Sequence, residues 1–327
     1  MSNPLNIGIV GLGVMGQRML DRIETHPLLR TVWVWDADPA ALQRTLTARP
    51  ALRAAGSAAQ LVASPGLHSL YIATPPAAHM ALSHAAFDAG LAVLCEKPLT
   101  VDFDAARRCI ERIEREGRLA AVNFSLASSP GLQALQQAFG ADGQELGPLQ
   151  QVDIELAFSA WPRPWQAAAG PWLSQRAEGG FVREVLSHFI FVLQRVLGPT
   201  AVQQSSVSYP TDGIGAETAL QARLRVAGVP VTISGRVDAT LAQADHNRMR
   251  WQGRDGAIEL REWFALSRRR TGEDWAALGD AAAMRAAGQA AQMEQWVALI
   301  EGRAHNLPGF AEALAVQQTI EALRAGR

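Results

Sequence analysis

Lysine is nearly absent from this sequence. Of 30 lysine and arginine residues in 327, all but Lys97 are arginine. A chain that uses arginine wherever it places positive charge, yet keeps one lysine, points to a position that needs a compact amine. An ammonium can release its proton and a guanidinium cannot. The plain alternative is chance, since in an arginine-biased chain some lysine must be the last. Cysteine is almost as scarce. Cys95 and Cys109 lie in apolar or helical surroundings, a pattern that excludes a disulfide framework and a cysteine metal site and suits a reducing, cytoplasmic setting. Neither sign of charge dominates, the formal net charge being −1, so binding to nucleic acid or a membrane surface through bulk charge is not expected. No signal peptide is read at the N-terminus. The uncharged stretch 54–87 is broken by Pro65, Gly66, Pro75, Pro76 and three histidines, and so reads as buried strand and helices, not as a membrane span.

At this length two domains are expected, 1–124 and 125–327. The first opens with an apolar strand, Leu5 to Val10, then Gly11-Leu12-Gly13-Val14-Met15-Gly16, then a helical pattern to about Thr25. A G-x-G-x-x-G between strand and helix suits a dinucleotide. The first glycine allows the tight turn, the second lets a pyrophosphate approach, and the third lets helix pack on strand. The phosphates would meet the N–H groups of the loop and of Val14 and Met15. A second strand, Thr31 to Trp35, ends in Asp36, whose carboxylate would bind the adenosine ribose and repel a 2′-phosphate, favouring NAD over NADP. Asp38 fits better as the cap of a helix beginning at Pro39. Strand and helix then alternate through Ser69–Ala73, Ala77–Ala89, Leu91–Cys95, Asp102–Glu116 and Leu119–Phe124, predicting a doubly wound parallel sheet. Thr74-Pro75-Pro76 would shape a loop over the cofactor, with His79 packing behind it. Lys97 stands where a buried strand yields to a loop, the end of a parallel sheet at which ligands bind.

Beyond Phe124 the pattern changes to strands joined by short turns: Leu149–Ser159, Ala201–Ser208, Ala216–Val226, Val229–Ala239, His246–Gln252 and Ala257–Glu262. These predict an α+β domain with a large, mostly antiparallel sheet. Its open face is expected to be apolar and to pair with a second copy as a homodimer or homotetramer. Helices are expected at Gly131–Ala138, Gln292–Glu301 and Gly309–Ala325, the last packing back on the first domain. A further helix, Gly179 to Leu197, carries Glu184 four residues before His188, so carboxylate and imidazole share a surface. Such a pair either exchanges a proton with a ligand or is a satisfied core histidine. His79 and His84 are five residues apart and do not share a face, so no metal site is read.

Taken in order, Gly11-x-Gly13-x-x-Gly16, Thr74-Pro75-Pro76-x-x-His79, Glu96-Lys97-Pro98 and the Gly179-Gly180 helix with Glu184 and His188 resemble the Gfo/Idh/MocA oxidoreductases. The resemblance covers nearly the whole chain. It implies a Rossmann domain, a second domain with a mostly antiparallel sheet, and NAD(P)-linked hydride transfer at a carbinol or ketone carbon of a small polyol, sugar or cyclitol. It further implies that Lys97 contacts the reacting hydroxyl and His188 exchanges its proton, with Glu184 beside it. Glu96 and Thr74 would lie near the nicotinamide. Asn123 and Trp172 complete the expected substrate contacts. The chain departs from the family in having Glu184 where aspartate is usual. It also lacks an arginine or tyrosine in Asn123 to Ser128, which removes the usual grip on a polar polyol. A non-catalytic NAD-binding sensor and an NAD-dependent glycosidase are the alternatives on the same residues.

Overall fold

The structure, a computed structural model, describes residues 3–141 and 145–326. The chain folds as two compact units. One comprises Met1–Phe124 with Ala290–Leu314, the other Ser125–Gln289 with Ala315–Arg327.

The first unit is built from β1 (Leu5–Val10), α1 (Val14–Glu24), β2 (Leu29–Trp35), α2 (Pro39–Ala48), β3 (Arg53–Ala54), α3 (Ala58–Val62), β4 (Ser69–Ile72), α4 (His79–Asp88), β5 (Ala92–Glu96), α5 (Phe103–Glu116) and β6 (Ala120–Asn123). The strands lie in the order β3-β2-β1-β4-β5-β6, and each pair is parallel. The order reverses between β1 and β4, which leaves a crevice beyond their carboxyl ends. Helices on both faces explain the continuous apolar runs: Ile7, Ile9, Leu70, Ile72, Val93 and Leu94 are all fully buried. Helix boundaries follow local chemistry. Asp38 caps α2 by accepting from the Ala40 N–H, with Pro39 in the first turn. Asp102 caps α5, which ends at Gly117 in the left-handed conformation, φ 62°. Residues 290–314, which sequence order alone assigns to the second domain, belong here, and Met293, Trp296 and Val297 sit in this core.

The second unit contains α6 (Pro130–Phe139), β7 (Leu149–Phe158), a π-helical turn (Val182–Leu186) running into α7 (Ser187–Leu197), and then β8 (Thr200–Ser208), β9 (Ala219–Val226), β10 (Val229–Val237), β11 (Asp245–Gly253), β12 (Gly256–Arg261), β13 (Ala265–Arg270) and β14 (Ala276–Ala277). Two helices, α8 (Ala281–Ile300) and α9 (Phe310–Ala325), follow and are divided between the units. Only the first turn of α9 belongs to the first unit. The remainder belongs to the second, where Glu321 and Arg324 engage Arg183 and the Arg176 carbonyl. The eight strands form one sheet, β14-β13-β12-β11-β7-β10-β9-β8. It is antiparallel apart from β7 and β10.

One face of this sheet is apolar and buried, with Leu224, Ile233, Ile154, Met249 and Trp251. The other carries Arg223, Thr232, Asp153, Arg250 and Glu259 in cross-strand register. It is polar and arginine-rich, which corrects the expectation of an apolar open face. Among the described residues the exposed large hydrophobic side chains are Val101, Trp165 and Ile214, none of them on a sheet strand. Among the described residues no helix is long and apolar enough to cross a membrane, and no cluster of three or more His, Cys, Asp or Glu could hold a metal ion.

Candidate functional site

The glycine loop closes against the neighbouring strand end. Gly11 has φ 97°, and a Cβ there would lie 2.4 Å from the Ala73 carbonyl oxygen and 2.9 Å from the Thr74 nitrogen. A Cβ on Gly16 would lie 2.1 Å from the Gly11 carbonyl oxygen, whereas a Cβ on Gly13 would meet nothing within 4 Å among the described residues beyond its own stretch of chain. The first and third glycines are therefore required by the protein's own packing, and the second faces space that a ligand can enter. Gly13 is the N-cap of α1 and offers no side-chain cap. The N–H groups of the first turn at Val14 and Met15 are thus available to an anion. Asp36 does more than the sequence indicates. Its Oδ2 accepts from the Leu12 N–H at 2.5 Å and its Oδ1 from the Asp38 N–H at 2.7 Å. The carboxylate anchors the loop while each oxygen keeps a second lone pair.

On the other side of the crevice, Thr74 Oγ1 is buried and has no hydrogen-bond partner among the described residues. An orphaned hydroxyl two residues after β4, next to the Gly11 turn, fits a nucleotide held across these strand ends. His79 is fully buried behind the loop. Its Nε2 lies 2.8 Å from the Thr74 carbonyl oxygen and its Nδ1 lies 3.1 Å from that of Leu99. Burial lowers its pKa below the usual histidine value, against the raising effect of the Thr74 and Leu99 carbonyls that its two nitrogens face, so the ring sits between the Thr74-Pro75-Pro76 loop and the segment after Lys97.

Glu96 and Asn123 belong to a buried polar chain. The Tyr71 hydroxyl and the Asn123 amide both donate to Glu96 Oε1. The Asn123 carbonyl accepts from Gln292, and Gln292 accepts in turn from Arg22 at 2.9 Å. Burial raises the Glu96 carboxyl above the ordinary carboxylate range, against the lowering effects of the Tyr71 hydrogen bond and the Lys97 charge. The same burial, reinforced by Glu96, pushes the Tyr71 phenol well above its usual value. Tyr71 and Gln292 were not singled out by the sequence. Only the pairing of β4, β5 and β6, and the return of residues 290–314, bring them together. Lys97 follows Glu96 at the strand end, partly buried, and is joined to Pro98 by a cis peptide bond.

In the second unit the expected Gly179–Leu197 helix contains the π turn and is buried all round from Phe181 to Leu193, not along one stripe. Gly180 has φ 104°, and a Cβ there would fall 2.3 Å from the Glu217 carboxylate. Glu217 Oε1 accepts from the Val182 N–H at 2.7 Å and so caps the turn. π turns inside α-helices often mark functional positions. Glu184 lies in this turn at 8 % exposure, and His188 follows in α7 at 6 %. His188 Nδ1 is 3.4 Å from Ser125 Oγ. Trp172 is half-buried in a short 3₁₀ turn, Pro171–Ser174. Its carbonyl oxygen, with that of Leu173, approaches Gly179 so closely that a Cβ there would lie 2.4 Å away. Trp172 therefore borders the start of the helix that bears His188. Trp263, absent from the sequence reading, stands edge-on to His188, with ring centroids 5.2 Å apart and planes at 82°. The segment that holds it shows no turn residue that would have marked it.

Residues 5–124 match the family model described as the NAD-binding Rossmann fold of the GFO_IDH_MocA oxidoreductases. Inositol 2-dehydrogenase of Streptomyces avermitilis is 35% identical over 130 residues, covering 38% of this chain and 37% of that protein. Inositol 2-dehydrogenase of Corynebacterium glutamicum is 31% identical over 112 residues, covering 34% and 33%. The chain thus spans roughly a third of the length of these relatives. Its fold extends further: an oxidoreductase of Agrobacterium radiobacter, solved with NAD+, L-tartaric acid and magnesium, superposes with a TM-score of 0.84 at 17% identity, covering 99% of this chain and 96% of that one. Over residues 5–124, the chain thus resembles the NAD-binding Rossmann fold of the Gfo/Idh/MocA oxidoreductases.

Proposed function

We propose that this protein is an NAD-dependent oxidoreductase that oxidises a carbinol, or reduces a ketone, on a small polyol-, sugar- or cyclitol-like substrate. One observation carries this reading: the only lysine of the chain follows directly on β5 of a family-matched NAD-binding unit, after a glutamate buried with Tyr71 and Asn123. The inositol 2-dehydrogenases among its relatives support the substrate class. The Gly11–Gly16 loop, Asp36 and the Thr74-Pro75-Pro76 loop would hold the cofactor, and bound NAD supplies the hydride acceptor. Lys97 donates a hydrogen bond to the reacting oxygen and stabilises charge that develops there. His188, oriented by the helix that also carries Glu184, takes the hydroxyl proton. Imidazole suits such a transfer near neutral pH.

The test is a panel of cyclic and open-chain polyols and ketones, followed by absorbance of the reduced nicotinamide. Turnover of at least one polyol is expected. Bound NAD with no turnover across the panel overturns the reading. Self-association through the polar sheet face is part of the same proposal, and a monomer by light scattering at micromolar concentration counts against it.

A further inference from the structure

Trp263 occupies a backbone position that a bulky side chain seldom takes. Three residues, Glu262 to Phe264, link the paired ends of β12 and β13 at Arg261 and Ala265. Glu262 has φ 47° and Trp263 φ 71°, and the Phe264 N–H donates back to the Glu262 carbonyl at 2.9 Å. A bond closed over two residues across a φ near +70° is the rarer, strained form of the γ-turn, and a tryptophan at its apex is a conformational outlier.

The turn is held from β11. Asn247, 1% exposed, accepts the Trp263 N–H on its Oδ1 at 2.9 Å and the Glu262 N–H on its carbonyl at 3.0 Å. Glycine or asparagine would occupy this turn with less strain. Tryptophan there places a half-buried indole against both His188 and Phe189, the latter at 5.5 Å between centroids with planes at 37°.

We propose that Trp263 is a specificity-determining residue. Its indole forms the platform for the C–H face of a ring-shaped polyol whose hydroxyl faces His188. The inference rests on the functional reading above and narrows its substrate class to rings. Asn123 to Ser128 offer no arginine or tyrosine to grip hydroxyls by charge or phenol. An indole instead gains by covering C–H surface. A saturated ring presents several C–H groups on one side in a fixed arrangement. An open-chain polyol must first be ordered, and the rotor entropy lost opposes its binding.

The test is saturation-transfer NMR on the NAD-loaded protein, with myo-inositol and mannitol as probes. In the wild type, the ring C–H protons of myo-inositol should receive saturation at least ~10-fold more strongly than any proton of mannitol. Trp263→Leu should lose that transfer while its NAD affinity stays within about twofold, a result that mere packing against Phe189 would not produce. Trp263→Phe, which keeps an aromatic face, should retain the ring preference with weaker transfer and serves as the second measurement. Undiminished transfer in Trp263→Leu, no ring preference in Trp263→Phe, equal transfer to mannitol, or no transfer from the wild type to either probe would each overturn the platform. Reduced-nicotinamide formation is read separately. Trp263-dependent binding without turnover overturns the enzymatic reading and leaves the platform, whereas turnover independent of Trp263 does the reverse.

Discussion

The two units organise buried polar groups in opposite ways. In the first, the interior chain Tyr71, Glu96, Asn123, Gln292 and Arg22 is a line of hydrogen bonds ending on one raised carboxyl. In the second, Arg183, Glu217, Glu321 and Arg324 form an ionic cluster. Arg183 reaches Glu321 with two nitrogens, and Arg324 Nε stands 3.7 Å from Glu217 Oε2. The parallel sheet needs only short loops after its strands to assemble a site, because all its strand ends point to one crevice. The mixed sheet has no such edge. Its candidate residues His188 and Trp263 are positioned by clamps far away in sequence, Glu217 on the π turn and Asn247 on the γ-turn.

The largest effect should come from the first unit. Lys97→Arg keeps charge but not size and is expected to lower turnover by at least ~100-fold, about 2.7 kcal/mol of transition-state stabilisation. NAD affinity should change little, because the glycine loop and Asp36 are the proposed holders of the cofactor. Steady-state kinetics beside NAD titration checks this, and near-normal turnover would remove the argument from the single lysine.

Gly180→Ala attacks the second unit. It forces a Cβ onto the Glu217 carboxylate at a left-handed φ and should cost about 2 kcal/mol of stability. Denaturant unfolding reads the cost, and a loss below about 0.5 kcal/mol would mean that the π turn relaxes freely. NAD titration of the folded variant should be unaltered.

A smaller effect sharpens the picture of the first unit. NAD should bind at least ~10-fold more tightly than NADP, about 1.4 kcal/mol, through repulsion between Asp36 and a 2′-phosphate. Arg44, paired with Asp38 at 3.7 Å on the exposed rim, is the nearby cation that could offset it. Equal affinities in a titration would locate the 2′-phosphate on that arginine.

The smallest effect compares the buried carboxyls directly. Glu96 accepts hydrogen bonds from Tyr71 and Asn123, an acceptor role that a glutamine oxygen can fill. Burial raises its folded pKa above the ordinary 4.5. The stability associated with its protonated form is fully present below the unfolded value and is lost as pH rises through the folded one. Glu96→Gln should therefore be more stable than wild type at pH 8, with the difference vanishing towards pH 4. Burial raises the Glu217 carboxyl as well, but against the lowering charges of Arg324 and Arg183, and Glu217→Gln should lose stability at pH 8 because it leaves those arginines short of a counter-charge. Urea midpoints of both variants at the two pH values decide the matter. Gains in both, or losses in both, would show that the two interiors do not differ in kind.

Much of the first unit was legible before any tertiary information. The Gly11–Gly16 loop, the Asp38 cap and the strand that precedes Lys97 are written in residues within a few positions of one another. Strand-turn-helix geometry and capping depend on just such neighbours. The alternation in β9 and β11 likewise placed most strands of the large sheet. The hairpin that carries Trp263 was missed because Glu262-Trp263-Phe264 contains none of the glycine or asparagine that normally announces a left-handed turn. The first half of α8 was missed as well: Ala281 to Ala291 is so rich in alanine that no apolar stripe stands out.

By itself the sequence determined most of the strand and helix order, the glycine loop between β1 and α1 and the isolation of one lysine, because each follows from local spacing and residue type. Tertiary structure alone decided that Glu96 is buried against Tyr71, that Asp36 also anchors Leu12, that the open sheet face is polar, and that an indole borders His188. Those outcomes depend on which surfaces are taken out of water and on contacts between residues 24 to 75 positions apart, beyond the reach of any pattern summed over neighbours.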